Sequence, residues 1–219
     1  RDAVRGGGPF DEDQRTYQGF GSGGYTDPNA TAEEQLSQEE QLANLRHSTD
    51  LVRVGLAGNV MGMEIRPGVL SEEIDYNGQP AAYTRDPQES VNYVDAHDNE
   101  TLFDNLYWKL PTDASMETRV RLNVLSEATV ALGQSPSFWH AGVDILRSKS
   151  LDRDSYNSGD HFNLLDWSMQ SNGFGLGLPL KEKNGEKWNL MAPLLENPAL
   201  NPTSEDINTS YEMSLDLLK

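Results

Sequence analysis

The sequence predicts an α/β protein with parallel strands. Two short β-prone runs, residues 91–96 and 136–142, flank a stretch of helical periodicity at about residues 115–132. The order strand, helix, strand is typical of a parallel sheet. The first run ends in the tripeptide His97–Asn99, and polar side chains at the carboxyl ends of parallel strands converge on one crevice. We therefore expect an active-site edge at this tripeptide.

The segments before the first predicted strand are a loop, a helix and a second loop. Glycine is dense in residues 1–30, which predicts a loop. A capping-box spacing begins at Ser37, apolar residues then recur at steps of three and four, and Gly58 lies near the expected end of the helix. Residues 59–88 return to loop character, with a turn signal where glycine follows Asn77.

The segments after the first predicted strand are a helix, the second strand and a long loop. Ser115 is placed to cap the helix, and Gly133 to end it. Residues 147–166 are polar and interleaved with aromatic residues. Loops of this length are usually functional or disordered, and the aromatic residues favour order. Residues 188–195 and 209–218 predict two short helices.

The composition excludes several functions. Acidic residues outnumber Lys and Arg by 35 to 17, and a net charge of -18 makes nucleic acid and anionic membranes unlikely partners. The chain has no apolar run of about 18 residues, so no membrane span is expected. The absence of cysteine excludes disulfides, thiolate catalysis and Cys-ligated zinc without fixing the compartment. No leader pattern follows Arg1, so we expect a processed chain or an internal piece.

The residue types at positions 97–99 allow three interpretations. Asp and Asn are common turn residues, so a polar turn is one. His, Asp and Asn can all ligate a metal, but no second His lies at the spacing of helical zinc sites. The third is a catalytic carboxylate oriented by its neighbours, as in glycoside hydrolysis, where carboxylates stabilise an oxocarbenium-like centre.

A resemblance to a known family favours the third interpretation. The segment Tyr93-Val-Asp-Ala-His-Asp-Asn-Glu-Thr-Leu-Phe-Asp104 resembles the last conserved region of the α-amylase superfamily, glycoside hydrolase family thirteen. In detail it is similar to type I pullulanases and limit dextrinases. The resemblance covers about residues 1–180, and three further blocks carry it: 1–7, 54–59 and 142–163.

The resemblance implies a fold and a set of site residues. It implies that residues 1–219 are the C-terminal portion of a (β/α)8 TIM-type barrel, about its last two strands with their helices, with no separate second domain. Asp98 would stabilise the transition state, and His97 would bind hydroxyls of the glucose at the cleavage point. Asn99 would support that geometry or contact a neighbouring subsite. Arg153 and Asp160 match positions that help shape the glycone subsites.

Two departures from the family pattern affect these expectations, and two aromatic residues have open roles. Asp144 stands where Glu is usual, and His161 stands where an aromatic residue is usual. Phe162 and Trp167 are candidate stacking surfaces for sugar, but a buried core role is expected for each.

The motifs that carry the family's nucleophile and general acid are not found in this sequence. Retaining cleavage needs those two carboxyl groups at about 5–5.5 Å from each other. We therefore expect this polypeptide alone to be inactive, and to be ordered only against the N-terminal part of its own barrel or in a rearranged or oligomeric form. No calcium-loop pattern appears, so we assign no metal ligands and expect no required cofactor, although calcium is often bound in this superfamily.

The resemblance implies hydrolysis of α-1,6 branch linkages in pullulan, starch or glycogen-derived dextrins, with an α-glucan as the partner. One alternative is another superfamily hydrolase or transglycosylase that acts on α-1,4-glucans, against which the block 147–163 argues. A second alternative is a non-catalytic carbohydrate-binding fragment. Secretion or cell-surface display is the common habit of the family.

Overall fold

The computed structural model describes residues 1–7, 13–22 and 29–219 of the 219-residue chain. Within these residues the chain is mainly helical, with little sheet. Its eight α-helices are α1 (Asp2–Arg5), α2 (Gln38–Leu56), α3 (Leu102–Lys109), α4 (Met116–Ala131), α5 (Asp160–Asn163), α6 (Lys181–Asn184), α7 (Trp188–Leu195) and α8 (Ser204–Leu217).

The predicted helices form where their capping residues place them. Ser37 Oγ accepts from the backbone N–H of Glu40, and the Glu40 side chain returns a bond to Ser37 N, which completes the capping box of α2. Ser115 caps α4 through Thr118 N. The helix predicted at 188–195 is α7.

Helix α8 starts earlier than predicted. Thr203 and Asp206 form a capping box that begins the helix at Ser204, several residues before the expected start at 209. The prediction missed this start because an aspartate takes the place of the usual Glu or Gln at the third helical position, and its shorter side chain still reaches the backbone N–H of Thr203 at 2.8 Å.

The strands differ from the prediction. Residues 91–96 and 136–142 do not form regular strands, and a single parallel bridge joins Asn92 to Ser137. Asn92 N donates to Pro136 O, and Phe138 N donates to Asn92 O. The ladder stops there because Pro136 has no N–H to extend it and because Gly142 turns the chain in a left-handed conformation.

The described residues contain two small antiparallel sheets, and both lie in the segment predicted to be a loop. Strands β1 (Glu64–Arg66) and β2 (Val69–Leu70) pair, as do β3 (Asp75–Tyr76) and β4 (Gln79–Pro80). The predicted turn at Asn77 joins the second pair, with positive φ at Asn77 and Gly78. The loop predicted for residues 1–30 contains the short helix α1, and its stretches 8–12 and 23–28 lie outside the described residues.

The largest hydrophobic core joins the middle of the chain to its C-terminal helices. Helix α3 is buried along its whole length and contributes Phe103, Leu106 and Trp108. Met191 of α7 and Ile207 of α8 pack into the same core. Helix α3 therefore has a fixed position, and the polar residues just before it are presented from a rigid base. None of the described helices is long and apolar enough to span a membrane.

Candidate functional site

The tripeptide His97–Asn99 borders an open cleft of about 660 Å³, a size typical of small-molecule sites. The side chains of His97 and Asp98 are 85% and 80% exposed, and His97 Nδ1 lies 3.2 Å from Asp98 Oδ1. The loop that follows Leu146 lines another side of the cleft and contributes Arg153 and Tyr156. The carboxylate of Asp98 is thus presented to a space that a ligand can enter.

A buried lysine holds the backbone on either side of Asp98. Lys149 Nζ donates to His97 O at 3.1 Å and to Asn99 O at 2.8 Å. Asn99 has a φ of 66°, a left-handed conformation that asparagine adopts more readily than most residues. Burial lowers the pKa of Lys149, and the nearby carboxylate of Asp104 opposes that effect. The turn is therefore fixed from beneath while the Asp98 side chain stays in solvent.

The carboxylate of Asp104, also buried, holds the segment that carries Lys149. Asp104 lies in the first turn of α3, and its backbone N–H donates to Oγ1 of the capping residue Thr101 at 3.1 Å. Its carboxylate accepts from Ser148 Oγ, from Lys149 N at 2.7 Å and from Leu151 N at 3.3 Å. Burial raises the pKa of Asp104 to about 6, and these hydrogen bonds act in the opposite direction.

Three residues of this segment have backbone conformations that their side chains rarely adopt. Leu146, Ser150 and Leu151 have φ values of 59°, 52° and 66°. Such residues cost about 1–3 kcal/mol each and persist only where the surroundings hold them. Here Asp104 holds one side, while Asn172 Nδ2 donates to Leu146 O at 2.7 Å. The strain is located beside the cleft, where it fixes the direction of Lys149.

A second chain of polar contacts links the two bridged segments beneath the cleft. The buried carboxylate of Asp95 lies 3.5 Å from Arg5 Nη1 and 3.1 Å from His140 Nδ1. Arg147 Nη1 donates to His140 Nε2 at 2.9 Å. Because Arg147 can only donate, Nε2 accepts, so the proton of a neutral His140 lies on Nδ1 and points to Asp95. Arg5, from the N-terminal block of the sequence, is thereby joined to the edge of the cleft.

The loop after Lys149 is ordered by internal hydrogen bonds. The Asp152 carboxylate accepts from Ser158 Oγ, from Asp154 N at 2.9 Å and from Asn184 Nδ2 at 2.9 Å. Asn163 Oδ1 accepts from Ser155 Oγ. The segment predicted to be a long loop is therefore hydrogen-bonded within itself and to Asn184 of α6.

Comparisons with known proteins agree on one family. A family model described as alpha-1,6-glucosidases, pullulanase-type, C-terminal, matches residues 169–219. The chain is 43% identical to pullulanase 1, chloroplastic, of Arabidopsis thaliana over an alignment of 227 residues. This alignment covers 100% of this chain and 23% of the Arabidopsis protein. The chain is also 45% identical to a pullulanase of Klebsiella aerogenes over an alignment of 198 residues. That alignment covers 88% of this chain and 18% of the Klebsiella protein.

A solved structure matches nearly the whole chain. The maltotriose complex of PulA from Klebsiella pneumoniae gives a TM-score of 0.87 at 41% identity and covers 99% of this chain. This chain belongs to the pullulanase family. It spans 23% of that solved chain and of the Arabidopsis relative, so it corresponds to a part of the proteins that it matches.

The structure brings four of the five predicted pullulanase site residues to one cleft. His97, Asp98, Asn99 and Arg153 all line it. Asp160 is exposed at the start of α5 and is not among the lining residues. The contacts of these side chains with sugar stay predictions.

The two aromatic residues with expected core roles differ in burial. Phe162 is buried at 6% exposure, which confirms the expectation, and its ring lies 4.3 Å from that of His161 between centroids. Trp167 is 63% exposed, so the expected core role is wrong for it. The segment around Trp167 is a surface turn in which the Asp166 carboxylate accepts from Ser168 N and Ser171 N, and this turn leaves the indole in solvent.

The departure at Asp144 leaves a half-buried carboxyl whose pKa is raised by burial. It lies in a short 3-10 helix (Val143–Ile145) that leads into the strained segment. Asp144 is not among the residues that line the cleft.

Several residues that build the site had no role predicted from the sequence. Lys149, His140 and Tyr156 all line the cleft, and Tyr156 is 93% exposed. An aromatic residue in a polar loop was the one available signal for Tyr156. Lys149 and His140 act on residues about 50 positions away, and no local pattern indicates such contacts.

Chemically, the cleft offers one exposed carboxylate beside an imidazole. Asp98 and Asp154 are the two carboxylates among its described lining residues, and Asp154 lies 3.4 Å from Lys183 Nζ in an ion pair. In the described part of the chain, no group of three or more His, Asp or Glu side chains is arranged to hold a metal ion. Among the described lining residues, Asp98 is therefore the carboxylate without a Lys or Arg partner, and it can stabilise a positive charge on a bound group.

Proposed function

We propose that this chain forms the part of a retaining α-1,6-glucosidase that carries the transition-state-stabilising carboxylate. The protein that contains it would hydrolyse branch linkages in pullulan, starch or glycogen dextrins. The observation that carries the proposal is the exposed carboxylate of Asp98, whose backbone is clamped at the edge of an open cleft by Lys149. A carboxylate fixed in this way is suited to stabilise an oxocarbenium-like centre on a bound sugar.

The neighbouring residues have defined parts in this proposal. His97 binds ring hydroxyls of the glucose at the cleavage point, and Asn99 sets the turn that separates His97 from the start of α3. Arg153 and Asp160 shape the glycone subsites, with Asp160 reached by a longer sugar chain because it lies outside the lining of the cleft. The exposed Tyr156 ring is a surface for sugar stacking.

The nucleophile and the general acid come from the rest of the protein. Retaining hydrolysis requires two further carboxyl groups about 5–5.5 Å apart, and Asp154 is engaged by Lys183. On this account residues 1–219 form one unit, which is inactive alone. The proposal requires no cofactor, and it assigns no calcium site to the residues of this chain.

An exposed apolar face supports a docking role for this unit inside a (β/α)8 barrel. Val91, Tyr93 and Phe138 are exposed on the two bridged segments, whereas Val94 is buried against the helices. The rings of Tyr93 and Phe138 contact edge to face at 6.1 Å between centroids. Alternation of this kind is typical of barrel strands, whose inner face is covered by the other strands. We infer that the rest of the protein's own barrel covers this face.

The test is the product that the full-length protein releases from pullulan. Cleavage of α-1,6 links gives maltotriose, whereas cleavage of α-1,4 links gives trisaccharides that retain an α-1,6 link. We expect maltotriose, and we expect Asp98→Asn to lower turnover at least about a hundredfold. Asp86→Asn, at an exposed aspartate whose side chain makes no cap hydrogen bond, is the matched control. Trisaccharides with an α-1,6 link would indicate the α-1,4-acting alternative, and binding of pullulan without any turnover would indicate a carbohydrate-binding protein.

A further inference from the structure

We propose that Lys149 is a positioning residue for Asp98, acting through the two backbone carbonyls that flank it. This inference rests on the proposed function of Asp98 and goes beyond it by assigning the control of its geometry to a residue 51 positions later in the chain.

The ammonium group of Lys149 is directed at the backbone on both sides of Asp98. Lys149 Nζ donates to His97 O at 3.1 Å and to Asn99 O at 2.8 Å, one carbonyl before Asp98 and one after it. Two donors from one atom fix the separation and the orientation of both carbonyls. The peptide planes around Asp98 are then fixed as well, and with them the direction in which its side chain leaves the backbone.

A lysine is an unfavourable residue at this buried position unless its ammonium is hydrogen-bonded. The side chain is buried at 1% exposure, and its ammonium has no carboxylate within salt-bridge distance among the described residues. A buried ammonium costs several kcal/mol unless hydrogen bonds compensate it. An apolar side chain of similar length would fill the same space without that cost. The hydrogen bonds to the turn are therefore the feature that a lysine supplies and an apolar residue does not.

The segment that carries Lys149 is held by the buried helix α3. The Asp104 carboxylate accepts from Lys149 N and Leu151 N, and α3, to which Asp104 belongs, is buried along its length. Ser150 and Leu151 keep positive φ values next to Lys149. The position of the Lys149 ammonium is therefore determined by a buried helix and a strained backbone. It can hold the turn at residues 97–99 in place although His97 and Asp98 have exposed side chains.

The test compares Lys149→Met with Lys109→Met in the full-length protein. Lys109 is also buried at 1% exposure, and its ammonium donates to the backbone carbonyls of Gln14 and Tyr17 outside the lining of the cleft. Both variants remove a buried ammonium that donates to two backbone carbonyls. We expect Lys149→Met to lower kcat on pullulan about a hundredfold, the scale of a misplacement of about 1 Å, with KM changed less than about threefold. Lys109→Met should leave kcat per folded molecule unchanged.

A double-mutant cycle with Asp98→Asn separates positioning from general destabilisation. If Lys149 acts through Asp98, adding Lys149→Met to Asp98→Asn should cost less than about threefold in residual turnover. A merely structural role would lower the folded fraction and would cost the same factor in both backgrounds. Equal costs in the two backgrounds would overturn the proposal.

Hydrogen exchange provides a readout that does not depend on activity. We expect the backbone amides of residues 97–101 to exchange at least about tenfold faster in Lys149→Met than in the wild type, with no such change in Lys109→Met. Unchanged exchange at these amides would also overturn the proposal. If the wild-type protein releases no sugar from pullulan, the proposed function fails, and the exchange measurement still decides whether Lys149 holds this turn.

Discussion

A buried glutamate between α4 and α8 allows a quantitative prediction about pH. Glu127 is 1% exposed, and its carboxylate accepts from Asn123 Nδ2 at 2.6 Å and from Ser214 Oγ of α8 at 2.7 Å. Burial is the main cause that raises the pKa of Glu127 from 4.5 to about 8, and the charges of Asp144 and Asp95 act in the same direction. Near neutral pH the folded protein therefore holds Glu127 protonated.

The sign and the size of the effect follow from linkage. The folded state binds a proton that the unfolded state has lost between pH 4.5 and about 8, so stability falls as the pH rises through this range. One pKa unit corresponds to about 1.4 kcal/mol, so the full effect is roughly 5 kcal/mol. Glu127→Gln has no such titration. The stability of Glu127→Gln relative to the wild type should therefore rise by about 3 kcal/mol between pH 6 and pH 9. This difference corresponds to about a hundredfold in the equilibrium constant for opening.

Hydrogen exchange of α8 in the full-length protein is the assay, because opening of α8 exposes Glu127. The ratio of wild-type to variant exchange rates at one pH cancels the intrinsic pH dependence. We expect this ratio to rise about a hundredfold from pH 6 to pH 9, the factor that follows from the linkage above. Glu212→Gln, at an exposed glutamate of α8, is the control and should show a constant ratio. A constant ratio for Glu127→Gln as well would refute the reasoning.

Three further predictions concern stability. Phe162→Ala should lower the free energy of unfolding by about 3 kcal/mol because the ring is buried. Trp167→Ala should lower it by less than about 0.5 kcal/mol because the indole is exposed, and equal losses would contradict the difference in burial between the two side chains. Gly58→Ala should lower the melting temperature by an amount that corresponds to at least about 1 kcal/mol of stability. The reason is that φ of Gly58 is 81° and the new Cβ would lie 2.6 Å from Pro87 Cα. An unchanged melting temperature would contradict this backbone conformation at Gly58. Asp104→Asn should lower the free energy of unfolding by about 2–3 kcal/mol, because it weakens the acceptor of two backbone N–H groups. It should also speed amide exchange over residues 146–151, and an exchange rate equal to that of the wild type would contradict the role given to Asp104.

Local features of the fold could be predicted from the sequence where the cause is local. Ser37 and Ser115 start α2 and α4 because a hydroxyl bonds a backbone N–H three residues later. The Asn77 turn follows from the ease with which Asn and Gly adopt positive φ. The predicted parallel strands failed for the opposite reason, because a regular ladder depends on neighbouring strands and the described residues supply one bridge at Asn92.

The site was predictable in its exposed residues and not in its supports. The resemblance placed His97 and Asp98 at a strand end, and the structure places both on the cleft. The supports are Lys149, Asp104 and His140, whose contacts join parts of the chain about 45 to 50 residues apart. A buried Lys or Asp resembles any surface residue in a sequence, so only the packed structure reveals its partners.

The most direct test of the account measures reducing-sugar release from pullulan by residues 1–219 alone, and by the same residues mixed with the part of the protein that carries the other two catalytic carboxyl groups. The account predicts no release from residues 1–219 alone, release from the mixture, and loss of that release with Asp98→Asn. Release from residues 1–219 alone would contradict it, because a nucleophile and an acid would then lie within this chain.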